Sequence, residues 1–149
     1  MTPIPSMLEE GLLPTGIHDC SVIEVKDRFG KFQKSDQRCQ LFSRLESFIE
    51  EVRKTKLIVE VIIDGSFVTS KDEPGDVDLV VVLSAEHDVG AEILPCEYNL
   101  LSNRRVRKRY GFDILVAQEG HPEHAKYIEF FMQVKGKPDF EKGVLRIRL

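Results

Sequence analysis

The sequence predicts an α/β domain (α+β by some counts), with a mixed sheet of about four to five strands flanked by helices. Three observations predict it. The stretch Leu57–Leu83, LIVEVIIDGSFVTSKDEPGDVDLVVVL, holds two apolar runs joined by a Gly-Ser turn and a polar loop. Runs this apolar suit strands buried on both faces. Two further strands are expected at Tyr110–Val116, apolar apart from Asp113 and Gly111, and at Gly143–Leu149, which alternates apolar and basic residues. Finally, Cys39, Phe42, Leu45, Phe48, Ile49 and Val52 recur at three- and four-residue intervals, the stripe of a core-packing helix. A chain of 149 residues, 42% hydrophobic and 31% charged, fits a single domain, 1–149, with a proper core.

Taken in order, residues 1–18 contain Pro3, Pro5, Gly11, Pro14 and Gly16 and are expected as an extended N-terminal arm, with a turn of helix at Ser6–Glu10. Its apolar residues, Ile4, Met7, Leu8, Leu12, Leu13 and Ile17, argue that the arm packs on its own domain. Ser21-Val22-Ile23-Glu24 has the form of a capping box, opening a helix that Gly30 stops. The long helix follows over Asp36–Lys54, with Lys54 and Lys56 placed to suit its dipole. Beyond Leu83, the segment Glu86–Cys96 is interrupted by Gly90 and Pro95, and a short helix is expected around Tyr98–Arg107. His121 and His124 precede or open a helix from Pro122 to Gln133. With no cysteine or further histidine near them, they read as surface residues rather than metal ligands. The tail strand is placed at a sheet edge.

Composition excludes several classes. A net charge of −4 gives no global pull toward nucleic acid or anionic membrane. Cys20, Cys39 and Cys96 are odd in number and widely spaced, which suits reduced thiols in a cytoplasmic protein better than a disulfide framework or a zinc site. There is no basic-then-apolar leader and no membrane-length apolar stretch, so neither secretion nor a membrane span is expected.

The chemistry concentrates in one place. Asp76 and Asp78 open the second apolar run, and alternation in a strand puts both carboxylates on one face, ~6.5–7 Å apart. Like charges there repel and are costly to desolvate, and a divalent cation relieves both problems. Gly65-Ser66, followed after nine residues by Asp76-Val77-Asp78-Leu79, resembles the signature of the nucleotidyltransferase superfamily, the polymerase-β-like fold. The opening Gly11-Leu12-Leu13-Pro14-Thr15-Gly16-Ile17-His18, with Gly65-Ser66-Phe67-Val68-Thr69, is similar to a small, uncharacterised bacterial, antitoxin-like branch of it. The chain departs from the commonest small-enzyme pattern, which has Ala-Arg-Gly after the Gly-Ser and Ser before the first Asp; Val68-Thr69-Ser70 and Gly75 stand here instead.

The resemblance implies a nucleotidyltransferase-like fold in which Asp76, Asp78 and a third carboxylate, Asp113, are both catalytic residues and ligands of Mg2+, two ions when nucleotide is bound. Gly65 and Ser66 would hold the triphosphate, and Lys71, Arg104 and Arg105 are further candidate phosphate contacts. Arg104 and Arg105 belong to Asn103-Arg104-Arg105-Val106-Arg107-Lys108-Arg109, a cluster that reads equally as phosphate binding or as a solvated helix end. The implied reaction transfers a nucleoside monophosphate, AMP from ATP or another triphosphate, to an acceptor hydroxyl, on a cognate protein partner as in toxin–antitoxin pairs. The alternative is a non-catalytic nucleotide- or partner-binding module of the same fold. Partners are therefore a nucleoside triphosphate and a cognate protein or a second copy in a homodimer; nucleic acid is not favoured.

Overall fold

The computed structural model describes residues 4–88 and 90–149. In chain order the elements are β1 (Gly16–Asp19), α1 (Val22–Phe29), α2 (Gln37–Thr55), β2 (Ile58–Asp64), β3 (Asp78–Leu83), α3 (Pro95–Leu101), α4 (Asn103–Tyr110), β4 (Asp113–Gln118), α5 (Pro122–Met132), β5 (Gln133–Val134), β6 (Lys137–Glu141) and β7 (Gly143–Arg148). The five-stranded sheet has the order β1-β7-β2-β3-β4 and is mixed: β1–β7 and β3–β4 are parallel, β7–β2 and β2–β3 antiparallel. A separate β5–β6 ribbon follows α5.

Strand alternation divides the core into two layers. Val61, Ile63, Leu79, Val81, Leu145 and Ile147 point to one face and pack with Val25, Phe29, Leu45, Phe48, Ile49, Val52 and Val106 of α1, α2 and α4. Ile62, Val80, Val82, Ala117 and Val144 point to the other, where Ile128 and Phe131 of α5 cover them. Both faces of β2 and β3 are thus dry, which is why those runs are apolar between their terminal aspartates, save for Glu60, which is buried against His124.

Local expectations hold where the signals are chemical. Ser21 caps α1, accepting from the Glu24 N–H while the Glu24 carboxylate accepts from the Ser21 N–H, both at 3.2 Å. Asp36 precedes α2, and Lys56 ends it in the left-handed conformation. The arm, from residue 4 onward, lies on its own domain: Leu13 is buried, and Ile4 and Met7 pack against the larger core. Residues 1–3 of the expected arm fall outside the described residues.

Several expectations are corrected. Ser6–Glu10 is not helical; the chain turns there, with the Gly11 N–H donating to the Leu8 carbonyl at 2.9 Å. The helix expected over Tyr98–Arg107 is two helices, because the chain turns out of helical geometry at Ser102, which ends α3 and caps α4 through the Arg105 N–H. Pro95 opens α3 at a first-turn position, where its missing N–H costs nothing. On α2 the buried stripe runs through Arg38 and Leu41, with Cys39 only half-buried. The tail strand β7 is not at an edge but lies between β1 and β2. Its basic residues are matched inside the sheet: Arg146 donates to both oxygens of Asp19 on β1, at 2.6 and 2.8 Å. The edges are β1 and β4. All three cysteines are free, and among the described residues no helix is long and apolar enough to cross a membrane.

Candidate active site

The sheet's register assembles the site. Asp64, the last residue of β2, sits opposite Asp78, the first of β3, and Asp78 sits opposite Asp113, the first of β4. Three carboxylates therefore stand in one row across adjacent strands, with neighbouring Cα atoms about 5 Å apart. They share the face of Ile62, Val80 and Leu115, the α5 side. Asp76, expected beside Asp78 on one strand face, is instead outside β3, in the loop ahead of the row, where Ser66 binds its carboxylate. The sequence nominates Asp76, Asp78 and Asp113 as candidates and passes over Asp64. The signal for Asp64 was an acid ending an apolar strand directly before Gly-Ser.

Each acid has a different environment. Asp64 is buried, and Lys142, just ahead of β7, places its ammonium 3.0 Å from Asp64 Oδ1. Burial nevertheless raises the Asp64 carboxyl, outweighing the lysine. Asp78 is pushed up to about 6, first by desolvation and then by the charges of Asp76, Asp64 and Asp113, with Lys142 opposing. Asp113 is exposed and held through one oxygen: Arg107 Nε donates to Oδ1 at 2.8 Å, with Nη2 2.5 Å from the same atom. Asp76 is exposed and tied to the Gly-Ser turn, where Ser66 donates to Asp76 Oδ1 from its N–H (3.1 Å) and from its hydroxyl.

The turn itself is built for closeness. Gly65 has φ +95°, and a Cβ there would lie 2.8 Å from the Asp76 carbonyl oxygen and 3.0 Å from the Asp78 nitrogen. Only glycine lets the turn nest against the strand entry that carries the acids. The Ser66 hydroxyl, expected to face a triphosphate, accepts from the Gly75 and Asp76 N–H groups at 3.0 and 3.2 Å while donating to Asp76. It locks the loop in this state of the molecule.

Arg38 carries the far side of the loop. Buried between the rings of Phe29 and Phe67, it donates to the carbonyls of Phe29, Phe67, Thr69 and Lys71 at 3.3, 2.7, 2.6 and 2.5 Å. The α2 helix was expected as a core-packing helix; this arginine on it also fixes the segment that follows Ser66. Its one sequence signal was a charge on the apolar stripe, three residues before Leu41.

Two cavities meet at Asp78. One, about 540 Å³, is lined by Asp64, Asp78, Phe130, Phe131 and the Gln133–Gly136 turn. The other, about 320 Å³, is lined by Asp78, Asn103, Arg107, Asp113 and again Phe130 and Phe131. Arg104 and Arg105 are not in either. They line separate pockets with Lys108, Arg109 and Asn99, and Arg107 is the cation that α4 brings to the acids. Lys71 is exposed, its carbonyl taken by Arg38. His124 packs toward Glu60, 3.2 Å away, and His121 precedes α5 as its cap residue.

The donor set is hard oxygen, the kind magnesium takes. As placed, Lys142 and Arg107 hold the two flanking acids, and among the described residues no three His, Cys, Asp or Glu side chains converge closely enough to hold an ion. Neither a curated protein nor a solved structure matches this chain. A family model described as a family of unknown function (DUF6932) matches residues 5–148, and the chain belongs to that family.

Proposed function

We propose that this chain is a magnesium-dependent nucleotidyltransferase that moves a nucleoside monophosphate, AMP from ATP, onto an acceptor hydroxyl. The observation that carries the reading is the register that aligns Asp64, Asp78 and Asp113, with Asp76 and Gly65-Ser66 beside them. Phosphoryl-type transfer needs charge neutralisation and in-line positioning more than covalent catalysis. Asp76 and Asp78 would hold the metal ions, which would neutralise the triphosphate and the pyrophosphate that leaves it, while Asp113, with Oδ1 already taken by Arg107, faces the acceptor. In the reaction the acceptor oxygen bonds to the α-phosphorus, the α-phosphorus–bridging oxygen bond breaks, and pyrophosphate leaves with that electron pair. Asp113 takes the hydroxyl proton through Oδ2, since Arg107 engages only Oδ1. Lys142 holds Asp64 and partly offsets the charge around Asp78, keeping the site from collapsing into repulsion. The free thiols suit a cytoplasmic setting, and the resemblance to antitoxin-like transferases makes a protein hydroxyl the acceptor to try first.

The second reading is a nucleotide- or partner-binding module that catalyses little. It is favoured by the cations already seated on both flanking carboxylates. Incubation with α-labelled ATP and magnesium separates the two. The transferase reading expects label on protein or an added acceptor, and loss of that label in Asp76→Ala/Asp78→Ala with the fold retained. Equal labelling by the double variant would sink the catalytic assignment.

A further inference from the structure

We propose that the ring of Phe130 is the stacking platform for the base of the bound nucleoside triphosphate, with the base in the larger cavity on the Asp64 side of the row. This rests on the nucleotidyl-transfer reading. Phe130 and Phe131 are neighbours in the last turn of α5, yet Phe131 is buried in the core and Phe130 is 63% exposed. An isolated exposed phenylalanine would be ordinary. This one, like its buried neighbour Phe131, lines both cavities that share Asp78, and of the two rings it is the one open to a ligand.

The two cavities differ in ways that assign their occupants. The larger, about 540 Å³, falls in the range of ligand sites, and its lining combines two acids, Asp64 and Asp78, with the rings of Phe130 and Phe131 and the ribbon residues Gln133–Gly136. That combination suits a nucleotide, with metal-bound phosphates at one end and an apolar base at the other. The smaller, about 320 Å³, holds Asp113, Arg107 and Asn103, and suits the approach of an acceptor hydroxyl toward the proposed base. Phe130 stands at the divide. Stacking on a phenyl face tolerates any base, so recognition here is of a nucleobase as such, with weak choice among the four.

The test uses the whole chain in magnesium buffer, titrated calorimetrically with ATP and, separately, with inorganic triphosphate, for the wild type, Phe130→Ala and Phe130→Tyr. Phe130→Ala is expected to weaken ATP binding by about tenfold or more and to leave inorganic triphosphate within about twofold, while Phe130→Tyr restores ATP binding. If the wild type binds ATP no better than inorganic triphosphate, or Phe130→Ala leaves ATP affinity unchanged, the stacking assignment is wrong while the phosphate site stands. If the wild type binds neither, the nucleotidyl-transfer reading fails and takes this one with it. Sedimentation velocity of the same proteins closes the remaining route: a dimer lost on Phe130→Ala would make the ring a subunit contact and overturn the proposal.

Discussion

Asp78 is charged only at an electrostatic cost, because burial and three neighbouring acids all favour its neutral form. Its pKa stands at about 6 against an ordinary 3.8, so the sign is that of a raised acid. The stability it contributes is fully present below 3.8 and is lost as pH rises through about 6. Asp78→Asn is therefore expected to raise stability at pH 7 by about 1 kcal/mol and to flatten the pH dependence between 4 and 6. Chemical denaturation across that range checks it, and a less stable Asn variant at pH 7 would contradict it. Arg38 behaves oppositely. Arg38→Met keeps the bulk but orphans several buried carbonyls, and a loss of about 3 kcal/mol is expected in the same measurement. A neutral outcome would show that water or loop movement replaces the guanidinium.

At the scale of elements, the Gly65 turn is the joint on which the site depends. Gly65→Ala combines a positive φ with a Cβ 2.8 Å from the Asp76 carbonyl oxygen, and neither can relax without moving the strand entry. A loss of about 2–3 kcal/mol is expected by denaturant midpoint, and an unchanged midpoint would mean that the 76–78 segment is softer than its contacts indicate. This turn, strands β2 and β3, the capped helix α1 and the apolar-striped helix α2 were legible in the sequence because each has a local chemical cause. Capping boxes, apolar runs and breakers act within a few residues. What was not legible depends on long-range register. β7 reads as an edge strand because its arginines alternate with apolar residues, and only the Asp19 carboxylate, 127 residues away, explains why they can lie inside a sheet. Asp64 likewise joins the row through a pairing with β3 that the sequence does not state. The β5–β6 ribbon was missed because its strands are short, and Ser102 divides the helix expected over Tyr98–Arg107 through a capping choice that composition does not reveal.

At the scale of the molecule, one end of one sheet face gathers four acids in a chain whose net charge is only −4, so the repulsion is local rather than global. A divalent cation that binds the folded row stabilises the fold by mass action. At neutral pH and low salt, millimolar magnesium is expected to raise the melting temperature of the wild type by a few degrees and that of Asp76→Ala/Asp78→Ala hardly at all. An equal shift in both proteins would mark the effect as general screening. The most direct measurement is isothermal titration of the purified protein with ATP, with and without magnesium, beside the same double variant. If the carboxylate row is a metal–nucleotide site, ATP binds the wild type only when magnesium is present and does not bind the double variant. Equal binding without magnesium, retention of binding by the double variant, or no binding under any condition would contradict that assignment.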